Sequence, residues 1–190
     1  MSQDQLALFE KARTTYPEGF KYRPNVLTVE QERGLLEKIS DLPFKEFDFH
    51  GFTGKRRTVS FGWKYSFSDA KLYQSDDIPN FLLKVRETAA EFAGMRPTDL
   101  HQVLVSEYRP GAPIGWHRDK SVFGDIIGIS LLSSCTFRLR RKTRTGWERV
   151  SLIAEPRSAY LLKGPVRSEW EHSIPPVDEL RYSITYRSLR

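Results

Sequence analysis

With a single cysteine, Cys135, the chain cannot build a disulfide framework, which suits a reducing compartment. No apolar run approaches the length of a membrane-spanning helix, and the opening Met1-Ser2-Gln3-Asp4-Gln5 lacks the charged and apolar regions of a signal peptide. The expectation is a soluble intracellular protein with no membrane partner, cytoplasmic in a bacterium and nuclear or cytoplasmic in a eukaryote. Internal repeats, low-complexity tracts and clear linkers are also missing. The 190 residues, 39% of them hydrophobic, are expected to bury one core and form a single domain over 1–190, acting as a monomer.

Histidine is scarce too. Of four, His50 and His101 have Phe52 and Val103 two positions on, and His172 has Ile174; only His117 opens a His-x-Asp pair, with Asp119. Tyr108-Arg109-Pro110-Gly111 reads as a turn closing the run Val103-Leu104-Val105, and Ile114-Gly115-Trp116-His117 as a new extended segment entering a loop. Residues two apart on a strand point to the same side, so His117 and Asp119 can converge on one ion. Two imidazoles and one carboxylate can occupy one face of an octahedral Fe(II), leaving three positions for a chelating cosubstrate and O₂. His172 is the candidate for the second imidazole. The competing reading is a surface loop in which a His and an Asp meet by chance.

The last extended segment carries a second pattern. Arg181, Ser183, Thr185 and Arg187 share one face, while Tyr182, Ile184 and Tyr186 share the other. If the apolar face packs on helices, the two arginines point into the interior. A buried guanidinium requires an anionic partner, and its planar fork matches a carboxylate. An edge strand with a solvated polar face is the alternative.

Negative charge is in deficit: 24 acidic residues against 30 basic ones give +6, with a pI near 9.5. An anionic partner is implied, nucleic acid first. The densest patch, Arg138, Arg140, Arg141, Lys142 and Arg144, falls in an expected hairpin turning near Thr145-Gly146, where it can follow phosphates without reading sequence. A solvated basic hairpin without a partner is the plainer reading.

The first twenty-odd residues read as a polar arm, about 1–25. Thr28-Val29-Glu30-Gln31 looks like a capping box opening a helix that ends near Asp41-Leu42-Pro43. A second helix is expected from about Pro79 to Phe92, with Gly94 as its stop. After Leu100, strands are expected near 101–108, 114–118, 125–133, 135–141, 147–153, 158–162, 170–174 and 181–187. The fold class is therefore mainly β with flanking helices (α+β), its strands compatible with a jelly-roll or cupin-like barrel over 100–190.

Taken in order, Tyr108-x-Pro110-Gly111, His117-x-Asp119, His172, and Arg181 with Arg187 six residues later resemble the AlkB family of Fe(II)- and 2-oxoglutarate-dependent dioxygenases, over roughly 57–187. The resemblance implies a double-stranded β-helix core with His117, Asp119 and His172 as iron ligands. It implies that Arg181 binds the distal carboxylate of 2-oxoglutarate and that Arg187 lies near the carboxylate that chelates iron. Tyr108 matches a tyrosine that hydrogen-bonds the cosubstrate, and Ser183 stands where a small polar residue helps hold it. Fe(II), 2-oxoglutarate and O₂ are thus the expected cofactor and cosubstrates. The implied reaction is oxidative dealkylation of alkylated nucleobases, with DNA repair first and RNA demethylation, or oxygenation of a protein or small molecule, as alternatives.

Upstream, the segment from Arg56-Arg57 through Phe61-Gly62-Trp63-Lys64-Tyr65 to Ser68 resembles the nucleotide-recognition lid of nucleic-acid-directed members, expected over 50–75. A flipped base needs aromatic faces for stacking and cations for flanking phosphates. Arg57, Phe61, Trp63 and Tyr65 are the expected contacts, the three rings alternating on one strand face; filling the core is their other reading. Trp116 and Trp170, each near an expected ligand, are candidate apolar walls. Ser106 stands where many members carry Asn, and Lys120 and Ser121 where several place a carboxylate near the damaged base. Ser121 remains an expected substrate contact. With Lys120 there, neutral adducts should be preferred to cationic ones unless Glu107 or Asp125 supplies the charge.

Overall fold

The computed structural model describes residues 15–49, 52–66 and 68–190. Helix α1, Val29–Ile39, begins at the expected capping box: the Gln31 amide donates to Thr28 Oγ1 at 3.2 Å and the Thr28 amide to Gln31 Oε1 at 2.8 Å. It ends earlier than the sequence suggests, where Ser40 Oγ donates to the Glu37 carbonyl. Helix α2, Asn80–Ala93, stops at Gly94, whose φ of 68° supplies the left-handed cap. No helix among the described residues is long and apolar enough to cross a membrane.

Residues 1–14 of the expected N-terminal arm lie outside the described residues. Within the remainder, Phe20–Arg23 is a strand, β1, rather than an arm. Phe20 and Tyr22 alternate with Lys21 and Arg23, and Phe20 buries its ring near Phe137.

The eight strands expected after residue 100 are all present. They follow β2 (Lys45–Phe49), β3 (Phe52–Phe61), β4 (Trp63–Ser66) and β5 (Lys71–Gln74). They are β6 (Leu100–Tyr108), β7 (Ile114–His117), β8 (Phe123–Leu131), β9 (Cys135–Thr143), β10 (Gly146–Ala154), β11 (Ala159–Leu162), β12 (Glu171–Ile174) and β13 (Arg181–Leu189), with the one-turn helix α3, Pro165–Ser168, before β12. A seven-stranded sheet runs β1-β11-β8-β13-β6-β3-β2, a four-stranded sheet runs β10-β9-β12-β7, and β4-β5 form a separate hairpin. Every recorded strand pairing is antiparallel.

Two cores result. Val103, Val105, Ile127, Ile129, Ile184 and Tyr186 of the large sheet pack with Leu35, Ile39, Leu82, Val85 and Ala89 of the helices. Tyr108, Ile126, Phe137, Leu139, Tyr160 and Leu162 fill the other side, drawing on both sheets. The apolar face of β13 therefore backs onto helices, as the alternation requires, and Tyr186 donates its hydroxyl to the Leu82 carbonyl at 2.7 Å.

Inside the barrel, Gly128 makes room for Tyr160, its register partner on β11. A Cβ at 128 would sit 2.1 Å from Tyr160 Cζ. Gly128→Ala is expected to lower stability by about 1–3 kcal/mol, the usual range for overpacking, read as a lower urea midpoint.

Candidate metal and cosubstrate site

His117 on β7 and His172 on β12 are direct register partners, so antiparallel pairing brings two imidazoles together from 55 residues apart. Their ring centroids are 4.2 Å apart. Asp119, two residues beyond His117, places Oδ2 3.9 Å from His172 Nε2. Potential ligand atoms of all three lie within 4.8 Å of one another, a grouping that can hold a metal ion. His117 Nδ1 donates to the Gly115 carbonyl at 2.8 Å, which leaves Nε2 with a free lone pair, and Phe137 stacks on His172.

The electrostatics keep the ligands in binding form. Burial, with His117 alongside, pushes His172 down to about 3 despite Asp119, and burial also lowers His117. Burial alone would raise the Asp119 carboxyl, but Arg187, His172, His117 and Arg167 hold it well below the usual range. In metal-free protein these shifts favour unfolding in acid. The unfolded chain protonates both imidazoles below about pH 6.5, whereas folded His172 resists protonation down to about 3 and folded His117 titrates below its ordinary value, so stability is full above pH 6.5 and falls as pH drops below it. Unfolding free energy should decline by roughly 1.4 kcal/mol per pH unit for each proton taken up. Urea midpoints between pH 7 and 4 check this.

Arg181 is fully buried. Its Nε and Nη2 donate to Ser130 Oγ at 3.2 and 3.0 Å, and its guanidinium stands 4.9 Å from the Tyr108 ring centroid, while Nη1 has no hydrogen-bond partner among the described residues. Arg187 donates Nη2 to Asp119 Oδ1 at 3.0 Å, and its Nε is likewise buried without a partner. Two orphaned guanidinium donors facing the barrel interior fit an anionic guest. Burial would raise the Tyr108 phenol, but Arg56 and Arg181 beside it, with hydrogen bonds to Arg56 and Ser183, hold it below the usual tyrosine range. The residues present therefore fit iron with a dicarboxylate.

Sequence reasoning missed three neighbours. Ser130 receives Arg181. Arg56, the register partner of Tyr108, lies on the interior face of β3. Arg167, only 5% exposed, pins the loop after Asp119: Nη2 donates to the Lys120 and Phe123 carbonyls at 2.6 and 2.9 Å, and Nε to Gly124 at 3.0 Å. Arg118 returns the contact through Nη1 to the Ser168 carbonyl at 3.0 Å. Arg167→Met removes three donors from that loop and should weaken Mn(II) binding by about tenfold, the lower end for losing a residue that orients a ligand, in a direct titration.

Several expectations need correction. Arg57 faces the helix side, where Nε and Nη2 bind Glu107 at 2.8 and 2.7 Å, so the interior cation of this strand is Arg56. Phe61 is 6% exposed in the helix-backed core and does not share a face with Trp63 and Tyr65. The alternation is reset by Gly62, at φ 74°, where a Cβ would lie 2.2 Å from the His101 carbonyl oxygen. Trp63 and Tyr65 both remain on the β4-β5 hairpin, and Lys120 Nζ stands 5.4 Å from the Tyr65 ring centroid. Ser121 is exposed in the loop beyond Asp119.

Of the carboxylates suggested to offset Lys120, Glu107 is held by Arg57 and Arg109 and Asp125 by Lys163. The β9-β10 hairpin is not a bare cationic patch. Arg140 donates to Glu171 at 2.6 Å between the Trp116 and Trp147 rings, Arg141 bridges Glu148 and Glu169, and Arg138 donates to Ser173 Oγ; Lys142 is exposed. Trp116 thus stacks on arginines, and Trp170 is buried in the second core.

A sequence profile of the 2OG-Fe(II) oxygenase superfamily matches residues 19–187, nearly the whole chain. The chain is 27% identical over 200 residues to an Arabidopsis thaliana protein described as an alkylated DNA repair protein ALKBH8 homolog, a match covering 90% of this chain and 56% of that one. It is 28% identical over 200 residues to an uncharacterized protein of Acanthamoeba polyphaga mimivirus, covering 95% and 90%. The chain thus spans little more than half of the plant relative and most of the viral one. Among solved structures, OsALKBH1 superposes with a TM-score of 0.71 at 15% identity, covering 92% and 98% of the two chains. A Trichoplax adhaerens prolyl hydroxylase in complex with a hypoxia-inducible-factor peptide fragment gives 0.64 at 11%, covering 90% and 83%. At such identity both likenesses concern the fold, a jelly roll. The chain belongs to the 2OG-Fe(II) oxygenase superfamily and is a dioxygenase using Fe(II), 2-oxoglutarate and O₂. Within that superfamily it is similar in sequence to an ALKBH8 homolog and in fold to OsALKBH1.

Proposed function

We propose that this dioxygenase removes alkyl groups from nucleobases in nucleic acid, with DNA as its main substrate and RNA as the alternative. The observation that carries the reading is the β4-β5 hairpin, whose Tyr65 ring meets Lys120, the residue directly after Asp119. An aromatic and a cation next to the oxidising centre suit a base extruded from its stack together with its phosphates. The alkylated-DNA-repair description of the plant relative supports the same substrate class.

In this reading His117, Asp119 and His172 hold Fe(II). Arg181 takes the distal carboxylate of 2-oxoglutarate, with Tyr108 and Ser183 beside it and Arg187 at the chelating end. When bound, the iron centre supplies oxidation by O₂, turning the cosubstrate into succinate and CO₂ while the N-alkyl carbon gains a hydroxyl. The protein orients the two substrates and limits uncoupled turnover. A saturated N-alkyl adduct hydroxylated in this way breaks its N–C bond, nitrogen keeping the hydroxyl proton and an aldehyde departing, whereas an etheno bridge would take the oxygen atom across its C=C bond, add water and leave as glyoxal. With Lys120 and Ser121 standing where several AlkB members place a carboxylate near the damaged base, and Glu107 and Asp125 engaged by other cations, neutral exocyclic adducts such as ethenoadenine are the favoured lesions.

Mass spectrometry of alkylated single- and double-stranded DNA and RNA, scored with succinate release, tests this. Expected is repair of ethenoadenine oligonucleotides ahead of 1-methyladenine and 3-methylcytosine ones. Faster turnover of the cationic adducts would refute the charge argument, and succinate without any repaired oligonucleotide would move the substrate to a protein or small molecule.

A further inference from the structure

We propose that Gln102 is a positioning residue that couples the aromatic hairpin to the iron and cosubstrate site. Gln102 is 3% exposed and sits on β6 directly opposite Arg187 on β13. Its Oε1 accepts from Arg187 Nη1 at 2.8 Å, and its Nε2 donates to Ser60 Oγ at 2.8 Å. Ser60 in turn donates its hydroxyl to the Trp63 carbonyl at 3.1 Å, the first residue of the hairpin. At the other end Arg187 holds Asp119. A continuous line of hydrogen bonds thus joins Asp119 to Trp63.

The direction of the line is fixed by chemistry. A guanidinium only donates, so the amide turns its oxygen to Arg187 and its NH₂ to Ser60 Oγ, whose hydroxyl has the Trp63 carbonyl at 3.1 Å as its nearer acceptor and the Val103 carbonyl at 3.5 Å as the other. Turning the amide over would set its NH₂ against the Arg187 donors and would draw the Ser60 proton away from the Trp63 carbonyl. The line also ends where the hairpin is rooted. Gly62 donates to the Asp76 carbonyl and accepts from the Ser75 amide, and Ser75 Oγ donates to the Ser60 carbonyl. The β4-β5 pair belongs to neither main sheet, which leaves these few bonds a large share of its attachment. A change in how Arg187 is engaged is therefore transmitted to Trp63, and by linkage a change at the hairpin is felt at Arg187. The inference rests on placing Arg187 at the cosubstrate and does not depend on which substrate the hairpin meets.

Hydrogen–deuterium exchange of residues 62–75 in the whole protein, with and without Mn(II) plus 2-oxoglutarate, tests it in wild type, Gln102→Leu and Ser60→Ala. In wild type the pair should slow hairpin exchange by at least about fivefold, the lower end of ordinary coupling between sites. Both variants should still bind 2-oxoglutarate through Arg181 but lose that response, with binding weakened by a similar factor in Gln102→Leu. A wild-type response in either folded variant overturns the proposal, as does wild-type protein that binds both additives without any change in the hairpin. Should Gln102→Leu not fold, Ser60→Ala decides alone, since it leaves the Gln102–Arg187 bond intact. Wild-type protein that binds neither additive removes the site assignment itself, and the coupling with it.

Discussion

Arg181→Met is expected to abolish saturable 2-oxoglutarate binding at working concentrations while leaving the ligand-free protein as stable as wild type or more so. The two effects have one origin. Arg181 is fully buried, its Nη1 has no hydrogen-bond partner among the described residues, and its other groups meet one serine hydroxyl and the face of Tyr108. Without an anion this charge is a net cost to the fold, and apolar replacement of buried ionic groups is often neutral or stabilising. With a carboxylate in place, removing one partner of the buried charge pair should raise the Kd at least about thirtyfold, 2 kcal/mol being the low end for such truncations. Calorimetric titration with Mn(II) present gives the affinity, and urea unfolding the stability. The stabilisation of wild type by added 2-oxoglutarate should vanish from the variant, because only folded protein offers the site. A variant that binds normally would place the dicarboxylate elsewhere in the barrel.

The same strand explains why so much of the site was legible in advance. Strict alternation from Arg181 to Arg187, read with the apolar Tyr182, Ile184 and Tyr186, determined which face met helices and which turned its buried arginines the other way. The eight strands were legible because each apolar run is short and bounded by turn residues. Where reading failed, one residue or one distant partner decided. Arg56 and Arg57 are adjacent, and only the pairing of Arg56 with Tyr108 turns one inward and the other toward Glu107. Phe61 and Trp63 have the spacing of one face, but the left-handed Gly62 between them breaks the strand. A glycine followed by two residues of renewed alternation was the available signal.

The hairpin of Arg138 to Lys142 looked like a phosphate track because two of its three carboxylates are remote in sequence: Glu171 lies 31 residues from Arg140 and Glu169 lies 28 from Arg141, while Glu148, the cross-strand partner of Arg141, is local. Arg167 had no local signature at all, since its acceptors are backbone carbonyls more than 40 residues away. His172 was legible as the second imidazole that a metal site with His117 and Asp119 needs, and through the family resemblance, but not from its own neighbours. Nothing around Glu171-His172-Ser173 announces a ligand, and β12 reaches His117 only once the small sheet has formed.

Asp119→Ala should have the opposite stability signature from Arg181→Met, with an equal or greater loss of function. Asp119 is both a member of the metal-holding group and the counter-ion of Arg187, the two side chains being 12% and 8% exposed. Truncating it leaves the Arg187 guanidinium buried beside two neutral imidazoles, and breaking a buried pair from one side costs about 3–5 kcal/mol. The variant should therefore unfold at clearly lower urea, and its anaerobic Fe(II) and 2-oxoglutarate titration should lack the visible charge-transfer band that wild type develops. The double variant Asp119→Ala/Arg187→Met separates the two roles: removing the stranded cation should recover much of the lost stability and none of the band. Recovery of the band would mean that His117 and His172 suffice for iron, while failure to recover stability would mean that the Asp119–Arg187 pair is not what the fold depends on at this position.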